Sequence, residues 1–241
     1  MLALLDMDLV CYRSAASAEN ESVEIAHHRM EEMLDNILLK VGSTSYRAFL
    51  TGPDNFRKHI YPEYKANRTQ EKPKWLQSCR EYAIANLGAE LAPDTLEADD
   101  ALGIHQTKDS IICSLDKDLL QVKGKHFQWA ITGGPIDKQW SKPDNFITQT
   151  ELEGTRLFYE QCLKGDTSDN IKGVAGIGEV KAKKMLAGID TEHAMMEIVL
   201  NAYSTEEEFL MNAQCLYILR KEGDSYLKRY ERLKNGINSY N

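Results

Sequence analysis

Residues 109–122 read DSIICSLDKDLLQV and contain the clearest structural signal in the chain. The apolar run at 110–115 predicts a buried β-strand. Two aspartates, Asp116 and Asp118, follow at its carboxyl end, and they share a face if the strand continues through them. The segment therefore predicts a strand whose end presents carboxylates.

The combination of a strand and an acidic end also occurs earlier in the chain. Residues 2–5 are apolar and are followed by Asp6. ELAPDTLEADDALGIHQ, at 90–106, predicts a strand, a turn and a helix from about Leu96 whose first turn is acidic. Strands that alternate with helices predict an α/β fold, with a mostly parallel twisted sheet and helices on both faces. Ligands of such sheets bind outside the carboxyl ends of the strands.

The segments between these acidic ends agree with this fold. Apolar positions recur at helical spacing from Met30 to Val41 and stop at Gly42, a typical helix end. Residues 45–51 then predict a second strand. Residues 57–90 begin with few core-type side chains and mix basic with aromatic residues, so we place them on an exposed, basic arch.

The second half of the chain has a different pattern. Short strands are predicted between 125 and 148, with a Gly133-Gly134-Pro135 turn that forms a hairpin. From Thr150 onward the pattern is almost entirely helical. We therefore predict an α/β domain at 1–149 and a helical region at 150–241.

Composition excludes several classes of protein. The chain is 42% hydrophobic and 27% charged, and it has no apolar run long enough to span a bilayer, so a membrane role is not expected. The opening MLALLDMDLV lacks the basic start and cleavage site of a secretory signal, which predicts an intracellular protein. The five cysteines are scattered and form no CxxC pair, so neither disulfides nor a zinc site is indicated.

Acidic residues recur in short groups near the ends of the predicted elements. The nine are Asp6, Asp8, Glu97, Asp99, Asp100, Asp116, Asp118, Asp166 and Asp169. Any single pair is typical of a helix cap or a solvated surface. Gathered in one place they would repel each other strongly unless cations were bound. Oxygen ligands without clustered His or Cys favour Mg²⁺ or Mn²⁺, and two such ions about 4 Å apart suit displacement at phosphorus.

The overall charge is compatible with such a site. The formal net charge is −8 and the sequence pI is about 5.3, which at first disfavours a polyanionic partner. Removing nine site carboxylates from −8 leaves +1, so the remaining chain is nearly neutral. A local basic face could then hold a phosphate backbone.

The segment at 57–74 is such a basic face. It contains six cations, Arg57, Lys58, Lys65, Arg68, Lys72 and Lys74, against Glu63 and Glu71, with Tyr61, Tyr64 and Trp75 interleaved or adjacent. Cations on phosphates and rings on bases suit a nucleic acid strand. In isolation such a segment is more often a solvated surface.

A glycine-rich turn precedes a second basic stretch. Gly173, Gly176 and Gly178 lead into EVKAKKML at 179–186. Backbone N–H groups at the start of this helix could cradle a phosphate, with Lys181 nearby. The GxxGxG spacing matches neither a dinucleotide fingerprint nor a P-loop.

Four blocks of sequence resemble the flap endonuclease family of 5′-nucleases. They are NFRKHIYPEYKANRT at 55–69, LEADD at 96–100, SLDKD at 114–118 and GDTSDNIKGVAGIG at 165–178. The first resembles the arch of bacteriophage 5′-to-3′ exonucleases in particular. The resemblance implies a PIN-like nuclease domain, a helical arch and a C-terminal helix-three-turn-helix module that binds duplex DNA. It also implies cleavage of DNA at or near 5′ ends or flaps, in the cytoplasm of a bacterial cell or a phage-infected host.

The resemblance also implies roles for individual residues. The first metal group falls on Asp6, Glu97, Asp99, Asp100 and Asp116, and the second on Asp118, Asp166 and Asp169. Lys65 and Arg68 are the expected catalytic cations at the scissile phosphate. The expected DNA contacts are Arg57, Lys58, Tyr64, Lys72, Gly176, Gly178 and Lys181. The implied cofactors are two Mg²⁺ ions, which Mn²⁺ can replace, and a K⁺ ion on loop carbonyls near 173–178.

The sequence departs from the family at one position. The family carries a further aspartate just after the second strand, where this chain has Thr51-Gly52. Asp54 and Asp8 are the candidates to replace it. The alternative function is therefore a structure-specific DNA-binding protein with weak or no nuclease activity. A metal phosphatase for small esters is a third reading, but it would need neither the arch nor the glycine turn.

Overall fold

A six-stranded sheet forms the centre of the fold. The structure, a computed structural model, describes residues 1–134 and 138–236. The strands are β1 (Leu2–Asp6), β2 (Tyr46–Leu50), β3 (Glu90–Leu91), β4 (Ser110–Cys113), β5 (Gly124–Gln128), β6 (Ile131–Gly133), β7 (Trp140–Lys142), β8 (Asn145–Gln149), β9 (Gly165–Asp166) and β10 (Ile171–Lys172). The central sheet has the order β3-β2-β1-β4-β5-β8 and is parallel except for β8. The predicted mostly parallel sheet is confirmed.

The helices lie between the strands in the first half and follow one another in the second. They are α1 (Met7–Ser17), α2 (Val23–Val41), α3 (Phe56–Ile60), α4 (Leu76–Asn86), α5 (Ala98–His105), α6 (Glu151–Lys164), α7 (Glu179–Leu186), α8 (Glu192–Leu200), α9 (Glu206–Leu216) and α10 (Tyr226–Lys234). Within the described part of the chain, no helix is both long and apolar enough to cross a membrane.

Alternation along the strands divides the sheet into two buried faces. Leu4, Phe49 and Ile112 pack against α5 on one face. Ala3 and Leu5 point to the opposite face, into a core shared with α1, α2 and α4. Full burial of an aliphatic side chain of this size contributes roughly 1.5–3 kcal/mol, so both faces require a covering layer of helices. The prediction of helices on both faces is confirmed.

The strand order brings the ends of β1 and β4 together. The chain builds β2 and β3 on one side of β1 and then returns to build β4 and β5 on the other. Leu5 pairs with Cys113 across the β1–β4 boundary, so the residues that follow both strands emerge side by side. This is the point at which the strand order reverses, where parallel sheets open a crevice.

Local hydrogen bonds shift two predicted boundaries. The strand predicted at 110–115 ends earlier, at Cys113, and a 3₁₀ helix begins at Asp118, so Asp116 and Asp118 do not share the face of a strand. The Ser114 hydroxyl accepts from Asp116 N at 3.0 Å, and Asp116 Oδ1 accepts from Asp118 N at 2.8 Å. These side chains replace the strand ladder with a turn. Helix α2 begins at Val23, before the predicted Met30, and ends as predicted at Gly42, whose φ is 62°.

The later segments follow the predicted order. β6 and β7 form the expected antiparallel hairpin, although Pro135 of its predicted turn lies outside the described residues. The helices α6 to α10 enclose a further hydrophobic core around Tyr159 and Phe209. The short antiparallel pair β9–β10 interrupts the predicted helical pattern.

Candidate active site

A cavity of about 400 Å³ opens where the ends of β1 and β4 meet. Its lining includes six of the predicted carboxylates and both predicted catalytic cations: Glu97, Asp99, Asp116, Asp118, Asp166, Asp169, Lys65 and Arg68. These residues come from four separate segments of the chain. The structure therefore brings together eight of the ten predicted metal-binding and catalytic residues.

Each acidic group reaches the cavity from the end of an element. Glu97 is the N-cap of α5, and Asp99 lies in the first turn of that helix. Asp116 lies on the turn after β4. The loop between β9 and β10 carries Asp166 and Asp169. This loop is tight, because a Cβ atom at Gly165 would lie 2.2 Å from the backbone nitrogen of Gly173.

The carboxylates on one side of the cavity lack compensating charge. Burial, reinforced by Asp116, Asp166 and Asp169, raises the pKa of Asp118 to about 7. Burial also raises the pKa of Asp99 well above its usual range, with further repulsion from Asp116. Burial is also the main cause of the raised pKa of Asp116. Ionisation of these carboxylates therefore concentrates negative charge on this side of the cavity.

The carboxylates on the other side are paired with cations of the basic segment. Lys65 Nζ lies 2.5 Å from Glu97 Oε1 and 3.7 Å from Asp169 Oδ2. Arg68 lies 2.5 Å from Asp169 Oδ1. Burial alone would raise the pKa of Glu97, but Arg57 and Lys65 hold it at about 2. The two predicted catalytic cations thus occupy half of the acidic cavity.

The basic segment rests on the acidic loop. Lys65 N donates to Asp169 O at 2.9 Å, and the Asn67 amide donates to Thr167 O at 2.6 Å. The Asn170 amide donates back to Glu63 O at 2.8 Å. These bonds fix the position of Lys65 relative to the loop that carries Asp166 and Asp169.

Tyr64 does not have the position expected of a DNA contact. It is only 3% exposed and belongs to the core formed by the C-terminal helices. Its hydroxyl lies 2.8 Å from Glu97 Oε2 and 2.9 Å from Asp169 Oδ2, and it donates to one of them. Because its ring is buried, Tyr64 orients carboxylates and cannot stack on a base.

Arg57 and Asp100 also differ from their predicted roles. Arg57 is 2% exposed and Asp100 is 0% exposed, so neither is accessible to a DNA strand, although Arg57 borders the cavity. The guanidinium binds both Asp100 oxygens, at 2.6 and 2.8 Å, and lies 3.2 Å from Glu97. It also donates to the carbonyls of Cys215 and Tyr217. These contacts engage all three guanidinium nitrogens, so the pair joins α3, α5 and the end of α9.

Thr51 stands where the resemblance implies a further aspartate, and it forms hydrogen bonds to its neighbours. The Thr51 hydroxyl accepts from Ala98 N at 3.0 Å, and Thr51 N donates to Asp8 Oδ2 at 2.9 Å. Arg80 forms an ion pair with Asp8 and donates to Thr51 O at 2.5 Å. Asp54 is exposed and pairs with His59, away from the cavity. Asp54 is therefore wrong as a replacement, and Asp8 is already neutralised by Arg80.

Asp6 lies below the cavity rather than on its lining. Its Oδ1 accepts from Leu9 N at 3.2 Å, and its Oδ2 accepts from the Ser114 hydroxyl at 2.7 Å. Burial, with repulsion from Asp8 and Asp116, raises the pKa of Asp6 to about 7.

Two glutamines in the site were not identified from the sequence. The Gln161 amide donates to Asp118 Oδ1 at 2.5 Å, and Gln121 donates to Gln161 Oε1 at 2.6 Å. Gln121 also donates to Leu216 O at 2.9 Å. Both glutamines are buried, so this chain of bonds sets the orientation of Asp118. Nothing in a single sequence distinguishes a glutamine of this kind from a surface glutamine on α6.

The remaining predicted DNA contacts are exposed. Lys58 and Lys72 lie on the surface of the basic segment, and Lys181 lies on α7. Gly176 has a φ of 75°, which favours glycine, and Gly178 is the N-cap of α7. A Cβ atom at either glycine would meet nothing within 4 Å, so the backbone there is open to an approaching group.

The donor chemistry of the cavity fits a hard divalent ion, but the side chains do not yet form a cage. Among residues 1–134 and 138–236, no three acidic, His or Cys side chains are arranged to hold a metal ion as they stand. The available donors are carboxylate oxygens, which Mg²⁺ and Mn²⁺ prefer. The side chains would need to rotate, and Lys65 and Arg68 would need to release Glu97 and Asp169.

The fold and the cavity together define an α/β protein with an acidic cleft at its topological switch point. The chain belongs to the 5′-3′ exonuclease family, because the family's N-terminal resolvase-like domain matches residues 1–151. This is a family of nucleases.

Individual relatives agree with this assignment. DNA polymerase I of Bacillus subtilis is 31% identical over 162 residues, covering 63% of this chain and 18% of the polymerase. A 5′-3′ exonuclease of the same organism is 28% identical over 160 residues, covering 61% of this chain and 52% of the relative. The chain thus spans less than a fifth of the polymerase and about half of the exonuclease.

A solved structure shares the fold over almost the whole chain. The flap endonuclease of bacteriophage T5, solved in a pseudo-enzyme-product complex with DNA and metal ions, has a TM-score of 0.64. The match covers 89% of this chain and 88% of the phage protein at 15% identity. At this identity the likeness is one of fold.

Proposed function

We propose that the protein is a metal-dependent 5′-nuclease that hydrolyses DNA phosphodiesters at or near 5′ ends, as an exonuclease, a flap endonuclease or both. One observation carries this proposal: six carboxylates from three separate segments line one cavity, beside two cations from a fourth. The family assignment and the phage structure solved with DNA and metal ions support it.

We place the metal centre on the side of the cavity whose carboxylates have no ion pair with a Lys or Arg among the described residues. Asp99, Asp116 and Asp118 would hold hard divalent ions, with Asp166 nearby and Asp6 beneath. When bound, two Mg²⁺ ions would neutralise charge on the phosphate and lower the pKa of an attacking water. Lys65 and Arg68 pair with Glu97 and Asp169, so both cations would have to leave these two carboxylates before Glu97 and Asp169 could take part in holding an ion.

The freed cations have a second function in this proposal. Lys65 and Arg68 would contact the scissile phosphate and stabilise the charge that develops on it. Their positions at the mouth of the cavity allow this, since Arg68 is exposed and Lys65 is partly exposed. Tyr64 and Gln161 would hold the carboxylates in place from behind.

The second half of the chain would hold the duplex. We propose that α6, the glycine-rich turn and α7 form a helix-three-turn-helix module, with 1–149 as the nuclease domain and 150–241 as the DNA-binding region. The open backbone at Gly176 and Gly178 suits a phosphate, and nearby carbonyls suit K⁺. This contact would grip the backbone without reading bases.

A cleavage assay tests the proposal. The protein is incubated with a 5′-labelled flap duplex, a blunt duplex and single-stranded DNA, in Mg²⁺, Mn²⁺ or EDTA. We expect metal-dependent products with 5′-phosphates, and their length separates mononucleotide release from flap removal. Asp116→Asn should abolish cleavage, whereas Asp109→Asn, which changes an exposed acid outside the cavity, should not. Cleavage that persists in EDTA would contradict the metal centre.

A second function is favoured by the region around Thr51. The family's carboxylate is absent there, and the Arg80–Asp8 pair adds a guanidinium in its place. A first metal site weakened in this way would leave a structure-specific DNA-binding protein with little nuclease activity. Binding to the flap duplex without cleavage in either metal would support this reading. Release of inorganic phosphate from small esters would instead indicate a phosphatase.

A further inference from the structure

A second cavity, of about 510 Å³, lies at the opposite end of the sheet from the carboxylates. It is bounded by the end of α5 at Gly103 and Gln106, by Val122 before β5, and by Glu151 at the start of α6. Side chains from the loop after α9 and from α10 close its other side. The proposed nuclease chemistry makes no use of this cavity.

The cavity is strongly cationic. Five basic side chains line it against two acidic ones: Lys123, Arg220, Lys221, Arg229 and Arg232 against Glu151 and Asp224. This is unusual in a chain whose formal charge is −8. Concave basic surfaces concentrate field lines and attract anions.

Arg229 is paired with buried Glu192 behind the cavity, but the two carboxylates of the lining do not satisfy the other cations. Glu151 is shared by Arg220 at 2.6 Å, Lys123 at 3.4 Å and Arg229 at 3.6 Å. Asp224 accepts from Arg220 N at 3.0 Å and from the Tyr217 hydroxyl at 3.1 Å, so it stabilises the loop after α9. Glu151 and Asp224 therefore already have partners within the protein.

Several donors are left over. Arg220 Nε and Nη2 are buried and have no acceptor within the described residues. The side chains of Lys221 and Arg232 are exposed and likewise form no ion pair or hydrogen bond with any residue in the described ranges. Buried donors without a partner are costly, and most such groups in folded proteins are satisfied by a protein group, water or ligand.

We propose that this cavity is an anion site for closely spaced phosphates, as carried by a nucleotide or by successive positions of a nucleic acid strand. Its volume is in the range of small-ligand sites and exceeds what one phosphate needs. Lys221 and Arg232 meet the ligand at the mouth, and a small rotation of Arg220 brings its free N–H groups to the same ligand. Arg side chains suit phosphate because their N–H groups can bind two oxygens at once.

Calorimetric titration of the full chain tests the site without relying on nuclease activity. The protein is titrated in EDTA, at fixed ionic strength, with inorganic tripolyphosphate, ATP and a single-stranded oligonucleotide. Lys221→Glu and Arg232→Glu each remove one exposed cation, so both variants should fold normally. Lys108→Glu changes the charge equally at an exposed position outside the cavity and is the matched control.

We expect tripolyphosphate to bind, and each cavity variant to weaken its binding by roughly tenfold or more, because a charge-assisted contact becomes a repulsion. The control should stay within about twofold of wild type. A larger loss of ATP affinity than of oligonucleotide affinity in the cavity variants would identify a nucleotide site, and the reverse would identify a strand site. Absence of binding by all three probes, or equal weakening by Lys108→Glu, would overturn the proposal.

Discussion

The Arg57→Leu variant tests whether Arg57 stabilises the fold or contacts DNA. In the Arg57→Leu variant, the Asp100 carboxylate would remain fully buried without its partner, and the carbonyls of Cys215 and Tyr217 would each lose a donor. Removing one member of a buried ion pair costs about 3–5 kcal/mol. Since domains have free energies of unfolding of about 5–15 kcal/mol, this loss is a large share of the total.

The assay is urea denaturation followed by circular dichroism, with thermal unfolding in parallel. For a chain of this size, a loss of about 3–5 kcal/mol corresponds to a fall in Tm of roughly 6–20 °C. Adding Asp100→Asn should restore part of the stability, because the buried charge is gone and the amide oxygen can still accept from one of the two backbone donors, Glu97 N or Leu219 N. DNA affinity of the folded Arg57→Leu protein should stay close to wild type.

Two outcomes would refute this reasoning. If Arg57→Leu kept wild-type stability and instead lost DNA affinity, Arg57 would be the DNA contact that the sequence suggested. If Asp100→Asn alone left stability unchanged but removed divalent ion binding, Asp100 would be a metal ligand after all.

Three further predictions concern the acidic cavity. Lys65→Ala should lower the cleavage rate by about 10²–10³-fold, with a much smaller effect on the free energy of unfolding, as single-turnover kinetics and urea denaturation would show. Gln161→Leu should weaken Mn²⁺ binding by about 10–100-fold in calorimetry, because Asp118 loses its orienting partner, whereas Gln214→Leu on α9 should have no effect. The third prediction concerns pH. Folding raises the pKa of both Asp6 and Asp118 from 3.8 to about 7. Between about pH 4 and pH 7, the metal-free folded protein therefore binds more protons than the unfolded chain. In EDTA, Tm should therefore fall as pH rises from about 4 to about 7, and saturating Mg²⁺ should reduce or reverse this fall; a Tm that rises over that interval in EDTA would contradict the uncompensated carboxylates.

The features that the sequence predicted well depend on local patterns. A short apolar run followed by an acid, as at 2–6 and 110–116, indicates both a buried strand and the end at which its carboxylate emerges. Parallel strands place those ends on one edge, so Asp116 and Asp118 could be assigned to a shared site. The arrangement of helices on both faces follows from the same alternation.

The features that the sequence predicted poorly depend on partners far along the chain. Asp100 is turned away from the cavity by Arg57, which is 43 residues away and is itself held by carbonyls 158 and 160 residues away. Tyr64 was grouped with surface aromatics because its burial requires the C-terminal helical core to pack over it. A basic or aromatic residue has the same appearance in the sequence whether its neighbours are solvent or a buried acid.

The charges around Thr51 bear on whether the protein cleaves DNA or only binds it. The carboxylate that the resemblance implies after β2 is absent, because Thr51 and Gly52 stand there, and Arg80 places a guanidinium against Asp8. Both differences make the potential near Asp6 less negative than a carboxylate after β2 would, whereas Asp118 keeps its acidic neighbours and Gln161. Binding of a divalent ion near Asp118 should therefore be favoured over binding near Asp6. The protein would then hold one ion firmly, and the affinity for the second ion would determine whether it cuts DNA or only binds it.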